Sequence, residues 1–203
     1  MTRLLITGGA GFVGSNLAVS LASRHPEWEI VVLDNLYRRG SELNLERLAE
    51  AGVEFVRGDV REPADLAALP RVDALIECSA EPSVMSGVDG ETDYLVHTNL
   101  TGAYNCLELA RRDGAFLVFL STSRVYPVAP QLQIKLEEAE TRFEIAAEQE
   151  LPGISPAGLS EEFPLDGART LYGATKLAAE LLIEEFRGGL GVPAVIDRCG
   201  VIA

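Results

Sequence analysis

Apolar residues in this chain come in short, unbroken runs. RLLITG (3–8), EIVVLD (29–34), VEFVRGD (53–59), VDALIECS (72–79), AFLVFLS (115–121) and PAVIDR (193–198) set Val, Ile, Leu or Phe next to one another with little polar alternation. Runs of that kind predict strands buried on both faces. Between them, apolar positions recur at helical spacing over 12–24, 42–51, 63–69, 92–112 and 170–187. The alternation predicts an α/β fold: a parallel sheet with right-handed crossovers and helices on both faces. No internal repeat is superimposed on it.

Residues 127–168, PVAPQLQIKLEEAETRFEIAAEQELPGISPAGLSEEFPLDGA, break the rhythm. The stretch is rich in Pro, Gly and Glu and too long for an ordinary connection in a compact domain. It reads either as a solvated surface insertion or as a flap over a ligand cleft. The flap is favoured, because the segment lies between two candidate catalytic stretches. The last run, PAVIDRCGVIA, is followed by no closing helix. Residues 1–203 are therefore expected to form one domain, and any substrate domain is expected beyond 203.

Composition narrows the partners. The chain has 203 residues, 47% of them hydrophobic, enough for a real core. Its net charge of −14 repels phosphate backbones and anionic lipid, which argues against nucleic acid and membrane surfaces as partners. An anionic ligand would need a local device, such as the N–H groups at a helix start. No apolar stretch reaches the ~18 residues that span a bilayer. The N-terminus enters a strand pattern at once, without a signal-peptide layout. Cys78, Cys106 and Cys199 are far apart, odd in number and set in apolar surroundings. They read as buried thiols in a reducing cytoplasm, and no metal site is expected.

The chemistry begins at LLITGGAGFVGSNLA. Gly8, Gly11 and Gly14 form a G-x-x-G-x-x-G frame directly after a strand and at the opening of a helix. The first glycine allows the tight turn, the second a close approach of diphosphate, the third close helix–strand packing. Asp34 follows Gly14 by twenty residues, at the end of the second strand. There a carboxylate can accept both ribose hydroxyls and repel a 2′-phosphate, so NAD is expected rather than NADP, although Arg38 and Arg39 follow closely. Together these features specify a Rossmann-type, doubly wound sheet.

RTLYGATKLAAELL (169–182) places Tyr172 and Lys176 one helical turn apart, on one face. By itself the pair is equally a helix surface with one aromatic and one cation.

The ordered motifs resemble the extended short-chain dehydrogenase/reductase family, specifically its NAD-dependent nucleotide-sugar epimerases and dehydratases. The resemblance spans the whole chain: TGGAGFVGSNL, LDNL, GDVRE, ECSAEPSV, HTNLTGAYNCLELAR, LSTSRVY and YGATK match in order. It implies a cofactor site built from Gly8, Gly11, Phe12, Val13, Gly14, Asp34 and Asn35. Asp59 and Val60 would flank the adenine, Ala80 would line the cofactor, and Asn99 would support the active-site backbone. Tyr172 would be the general base, helped by a neighbouring ammonium that favours the phenolate. Lys176 would also bind the nicotinamide ribose. Thr122, three residues before Val125, would hydrogen-bond the reacting hydroxyl, with Ser121 and Ser123 as fallbacks. The resemblance also implies a possible homodimer through the Tyr/Lys helix, whose Leu177, Ala178, Leu181 and Leu182 fit an interface or an internal core equally.

Departures from the family pattern choose among reactions. Its sugar dehydratases carry Asp-Glu after the threonine; here Ser123 and Arg124 stand there. That favours epimerisation by transient oxidation to a keto sugar and hydride return. Arg124 is either a surface cation or a contact to substrate phosphate. Glu77 stands in place of a usual His, and Pro127 in place of a Gly. DNLYRRGSELNLERL and SEEFPLDGARTLYGATK are most similar to the CDP-paratose 2-epimerase branch, with UDP-glucose 4-epimerase-type or dehydratase chemistry as alternatives. From another class, the chain reads as an isolated or non-catalytic NAD-binding module.

Overall fold

A computed structural model describes residues 1–88 and 92–202. Six parallel strands form the central sheet: β1 (Arg3–Thr7), β2 (Glu29–Asp34), β3 (Glu54–Arg57), β4 (Ala74–Glu77), β5 (Phe116–Thr122) and β10 (Ala194–Cys199). They stand in the order β10-β5-β4-β1-β2-β3, and every pairing is parallel. The order reverses between β1 and β4. Loops that leave those two strands diverge there and open a crevice, the usual ligand position in a doubly wound sheet.

Both faces of the sheet are covered, as the unbroken apolar runs require. Leu4 and Ile6 of β1 join Ile30 and Val32 of β2 in one core, beneath α1 (Phe12–Arg24) and α2 (Leu45–Glu50). Leu5, Val31, Leu33 and Leu75, on the opposite pleat, join the second core. That core packs against α3 (Pro63–Ala67), α5 (Gly102–Asp113) and α7 (Leu171–Gly189). The helix expected over 92–112 forms as α4 (Asp93–Val96), a π-helical turn His97–Thr101 and α5, in direct succession. Gly114, in the left-handed region at φ 67°, ends α5 and lets the chain turn into β5.

The 127–168 segment has structure of its own: α6 (Val128–Gln131) and two small hairpins, β6–β7 (Leu136–Glu138 with Phe143–Ile145) and β8–β9 (Ile154–Ser155 with Gly158–Leu159). Its ends are tied, since the Val128 N–H donates to the Ala168 carbonyl at 3.0 Å. The first hairpin is largely exposed. The second half folds back: Phe163 is buried with Val125 and Tyr126, and Leu151, Ile154, Leu159 and Leu165 pack around them. Tyr126 meets Phe163 edge to face at 5.5 Å. No residue of the segment lines the crevice at the switch point. It braces the turn after β5 instead, because five apolar side chains in its second half need a surface to bury against.

Of the apolar positions on α7, Leu177 packs with the Phe163 cluster and Leu182 against the second core, while Leu181 is exposed. No helix among the described residues is long and apolar enough to cross a membrane.

Candidate active site

At the switch point lies a cavity of about 490 Å³, within the usual size of a small-ligand site. Gly8, Gly11, Phe12, Val13, Gly14, Asp34, Asn35, Asp59, Val60 and Ala80, named from the sequence as cofactor contacts, all line it. Asn99, Thr122, Tyr172 and Lys176 do not.

The glycine loop has no spare room. Gly8 sits in the left-handed region at φ 65°, and a Cβ there would stand 2.8 Å from the Cys78 carbonyl and the Ser79 nitrogen. A Cβ on Gly14 would overlap the Gly8 carbonyl oxygen. Three contacts fix the loop: Gly9 N–H to the Leu33 carbonyl, Ala10 N–H to Asp34 Oδ2 at 3.1 Å, and Asn44 Nδ2 to the Ala10 carbonyl at 2.8 Å. α1 then starts at Gly11 with no side-chain cap and no acidic residue in its first turn. Its leading N–H groups and dipole face the cavity as an anion cradle. The donor set and the glycine clearances suit a dinucleotide.

Asp34 has a task its spacing did not reveal. Besides Ala10, it accepts the Leu36 N–H at 2.8 Å, so its carboxylate braces the loop and the strand end together. Arg38, Ser41, Tyr37 and Tyr94 also line the cavity, and no motif in the sequence marks them as site residues. The Tyr37 and Tyr94 rings stack at 4.4 Å, and the Arg61 guanidinium lies 4.8 Å above the Tyr94 ring. Arg61 pairs with Asp59 at 2.6 Å, and Asn35 Nδ2 donates to the same carboxylate at 2.9 Å. Burial alone would raise the Asp59 pKa, but these donors outweigh it and hold the group at about 2.

The Tyr/Lys end is assembled differently. Thr170 caps α7 by accepting the Gly173 N–H at 3.2 Å. A Cβ on Gly173 would overlap the Arg124 carbonyl oxygen, so the first turn of α7 is pressed against the turn after β5. Tyr172 is thereby brought beside Thr122. Thr122 accepts the Arg124 N–H at 3.1 Å. Lys176, one turn on, is 2% exposed, with its Nζ 3.6 Å from Glu77 and 3.9 Å from the Phe119 ring centre. Glu77 immediately precedes Cys78, which lines the cavity. The three predicted catalytic residues thus gather at the ends of β4 and β5, outside the cavity lining. Asn99 takes a supporting place: its side chain bonds the Glu81 backbone N–H and carbonyl and Thr175 Oγ1.

One electrostatic expectation is reversed. The Tyr172 pKa is raised, not lowered: burial penalises the phenolate, the Thr122 hydroxyl opposes this, and the Glu77 carboxylate adds to it. Burial, the largest of these effects, sets the direction. Of the fallbacks, Ser121 donates to Glu180, which pairs with Arg198 at 2.7 Å, so Ser121 belongs to a structural network. The Arg124 side chain is exposed.

Fold and site together define a doubly wound dinucleotide-binding domain with a Tyr/Lys pair beside the ends of β4 and β5. The chain matches the NAD dependent epimerase/dehydratase family over residues 4–202, and it belongs to that family. NAD, expected from Asp34, is the family's cofactor. The chain is 32% identical over 203 residues to CDP-paratose 2-epimerase of Salmonella typhi, covering 97% of this chain and 56% of that one. It is 31% identical over 198 residues to dTDP-glucose 4,6-dehydratase of Mycobacterium tuberculosis, covering 97% and 52%. Among solved structures, a dTDP-glucose 4,6-dehydratase of Streptomyces venezuelae with NAD bound superposes with a TM-score of 0.74 at 29% identity, over 98% of this chain and 55% of that one. The chain spans about half the length of the curated relatives it matches.

Proposed function

We propose that this chain is the cofactor-binding part of an NAD-dependent nucleotide-sugar epimerase, with CDP-paratose 2-epimerase as the preferred activity. The observation that carries the reading is the convergence of Thr122, Tyr172 and Lys176 beside a dinucleotide-sized cavity, with Ser123 and Arg124 following the threonine. Gly8, Gly11 and the first turn of α1 would hold the diphosphate. Asp34 and Asn35 would meet the adenosine ribose, and Asp59 and Val60 the base. NAD, when bound, supplies a hydride acceptor and later donor at a sugar carbon.

The chain's own groups manage the proton. Tyr172 would accept it from the sugar hydroxyl being oxidised, Thr122 would orient that hydroxyl, and Lys176 would supply positive charge close to the phenol. Elimination of water from a sugar needs an additional acid and base. The positions after Thr122 provide a hydroxyl and a guanidinium instead, which supports epimerisation over dehydration. The relatives include both reaction types, and this chain spans about half their length.

The test uses full-length protein, assayed for bound NAD and for turnover of CDP-paratose and UDP-glucose. Tyr172→Phe is expected to lower kcat by about 10²–10⁴ with NAD retained. Full turnover in that variant overturns the assigned base. A 4-keto-6-deoxy product overturns the epimerase reading, and absence of NAD binding overturns both.

A further inference from the structure

Glu77 ends the central strand β4, with Thr7 of β1 on one side and Phe119 of β5 on the other. It is 1% exposed. Among the described residues, neither of its carboxylate oxygens has a hydrogen-bond partner. Its single close cation is Lys176, at 3.6 Å. A carboxylate left this bare in a protein core is expensive, and an apolar residue of similar size would ordinarily be neutral or stabilising there. Its place beneath the Tyr/Lys pair suggests a role in the site. Lys176 is equally enclosed: the Phe119 face closes one side of the ammonium and Glu77 meets it on another. Tyr172 lies one turn before Lys176 on α7, within the field of Glu77.

We propose that Glu77 is a positioning residue of this site, the counter-ion that fixes the Lys176 ammonium against Phe119 and offsets its field at Tyr172. With the pair intact, the Glu77 carboxylate acts on the phenol alongside the ammonium one turn further along α7. With Glu77 neutralised, it faces a bare ammonium, and the phenolate gains. The other groups around the trio do not take over this role. Cys78 just after β4, Cys106 on α5 and Cys199 on β10 are thiols that burial pushes up and keeps neutral. Glu180 on α7 is held by Arg198 and Ser121, and the Arg124 guanidinium after β5 is exposed to solvent. The inference rests on the Tyr172/Lys176 assignment above, yet its test needs neither cofactor nor turnover.

The experiment is an ultraviolet difference titration of Tyr172 in full-length protein, each trace corrected by the matching Tyr172→Phe variant. Circular dichroism marks the pH range in which the protein stays folded. Glu77→Gln is expected to lower the Tyr172 midpoint by about one pH unit or more. Lys176→Met is expected to raise it, or carry it beyond the folded range. Should Glu77→Gln fail to fold, the double variant Glu77→Gln/Lys176→Met is compared with Lys176→Met, and its midpoint must again be the lower. A purely structural Glu77 would change stability and leave the midpoint in place, and that result overturns the proposal. Loss of NAD binding together with a shifted midpoint would sink the proposed function and leave the coupling standing.

Discussion

The two ends of this site hold their residues by opposite means. At the glycine loop the proposed binding groups are backbone N–H donors within residues 8–14, positioned because Cβ atoms are missing where strand, loop and helix meet. At the Tyr/Lys end the groups are side chains brought from β4, β5 and α7, positioned by a cap, a buried ion pair and an aromatic face. The first end tolerates no added atom. The second tolerates no unbalanced charge. The glycine loop is guarded by sterics, whereas the Tyr/Lys end adds electrostatics to the close Gly173–Arg124 contact.

Removing a charge at the Tyr/Lys end should therefore cost most. Lys176→Met strands Glu77 in the core, with an expected loss of about 3–5 kcal/mol at pH 8. Without its ammonium, burial dominates at Glu77 and raises its pKa further. The native state then takes up a proton more readily than the unfolded chain, so stability is fully present below the ordinary carboxylate range and lost as pH rises. Urea unfolding at pH 5 and pH 8 checks this, and an equal loss at both would remove the electrostatic half of the comparison.

Adding an atom at the other end should cost less in stability but more in binding. Gly14→Ala drives a methyl into the Gly8 carbonyl, for about 1–3 kcal/mol of overpacking and a measurable drop in NAD affinity by calorimetry. The Tyr172 titration should stay where it was. If it moves, the two ends are coupled and the contrast drawn here is too sharp. The smallest effect belongs to Asp59, whose pKa near 2 lies below the unfolded value. Its contribution is present above pH about 4 and fades as pH falls toward 2, and for a partly exposed pair it amounts to no more than about 1 kcal/mol. Asp59→Asn should flatten the acid limb of Tm against pH.

Strand and helix runs were legible because each carries its burial in its own composition: the six apolar runs became the six parallel strands. The long irregular segment was only half legible. Its Pro and Gly content showed that it was not a regular element, yet nothing local indicated that Phe163 would seek Tyr126 and leave the cavity uncovered. In the site, the glycine frame and Asp34 could be read from spacing. The aromatic stack of Tyr37 on Tyr94 could not, since the two rings reach the cavity from separate crossovers. Glu77 gave a signal, a charged residue inside an apolar strand run, whose meaning depended on what lay opposite.

What the chain's order of residues determined alone is the sheet, its winding and the anion cradle, since periodicity and missing side chains act over a few neighbouring positions. What tertiary structure decided is the electrostatic state of the reacting end. A phenol one turn from an amine gains acidity only if burial and nearby carboxylates do not outweigh that amine, and both are set by segments distant in the chain.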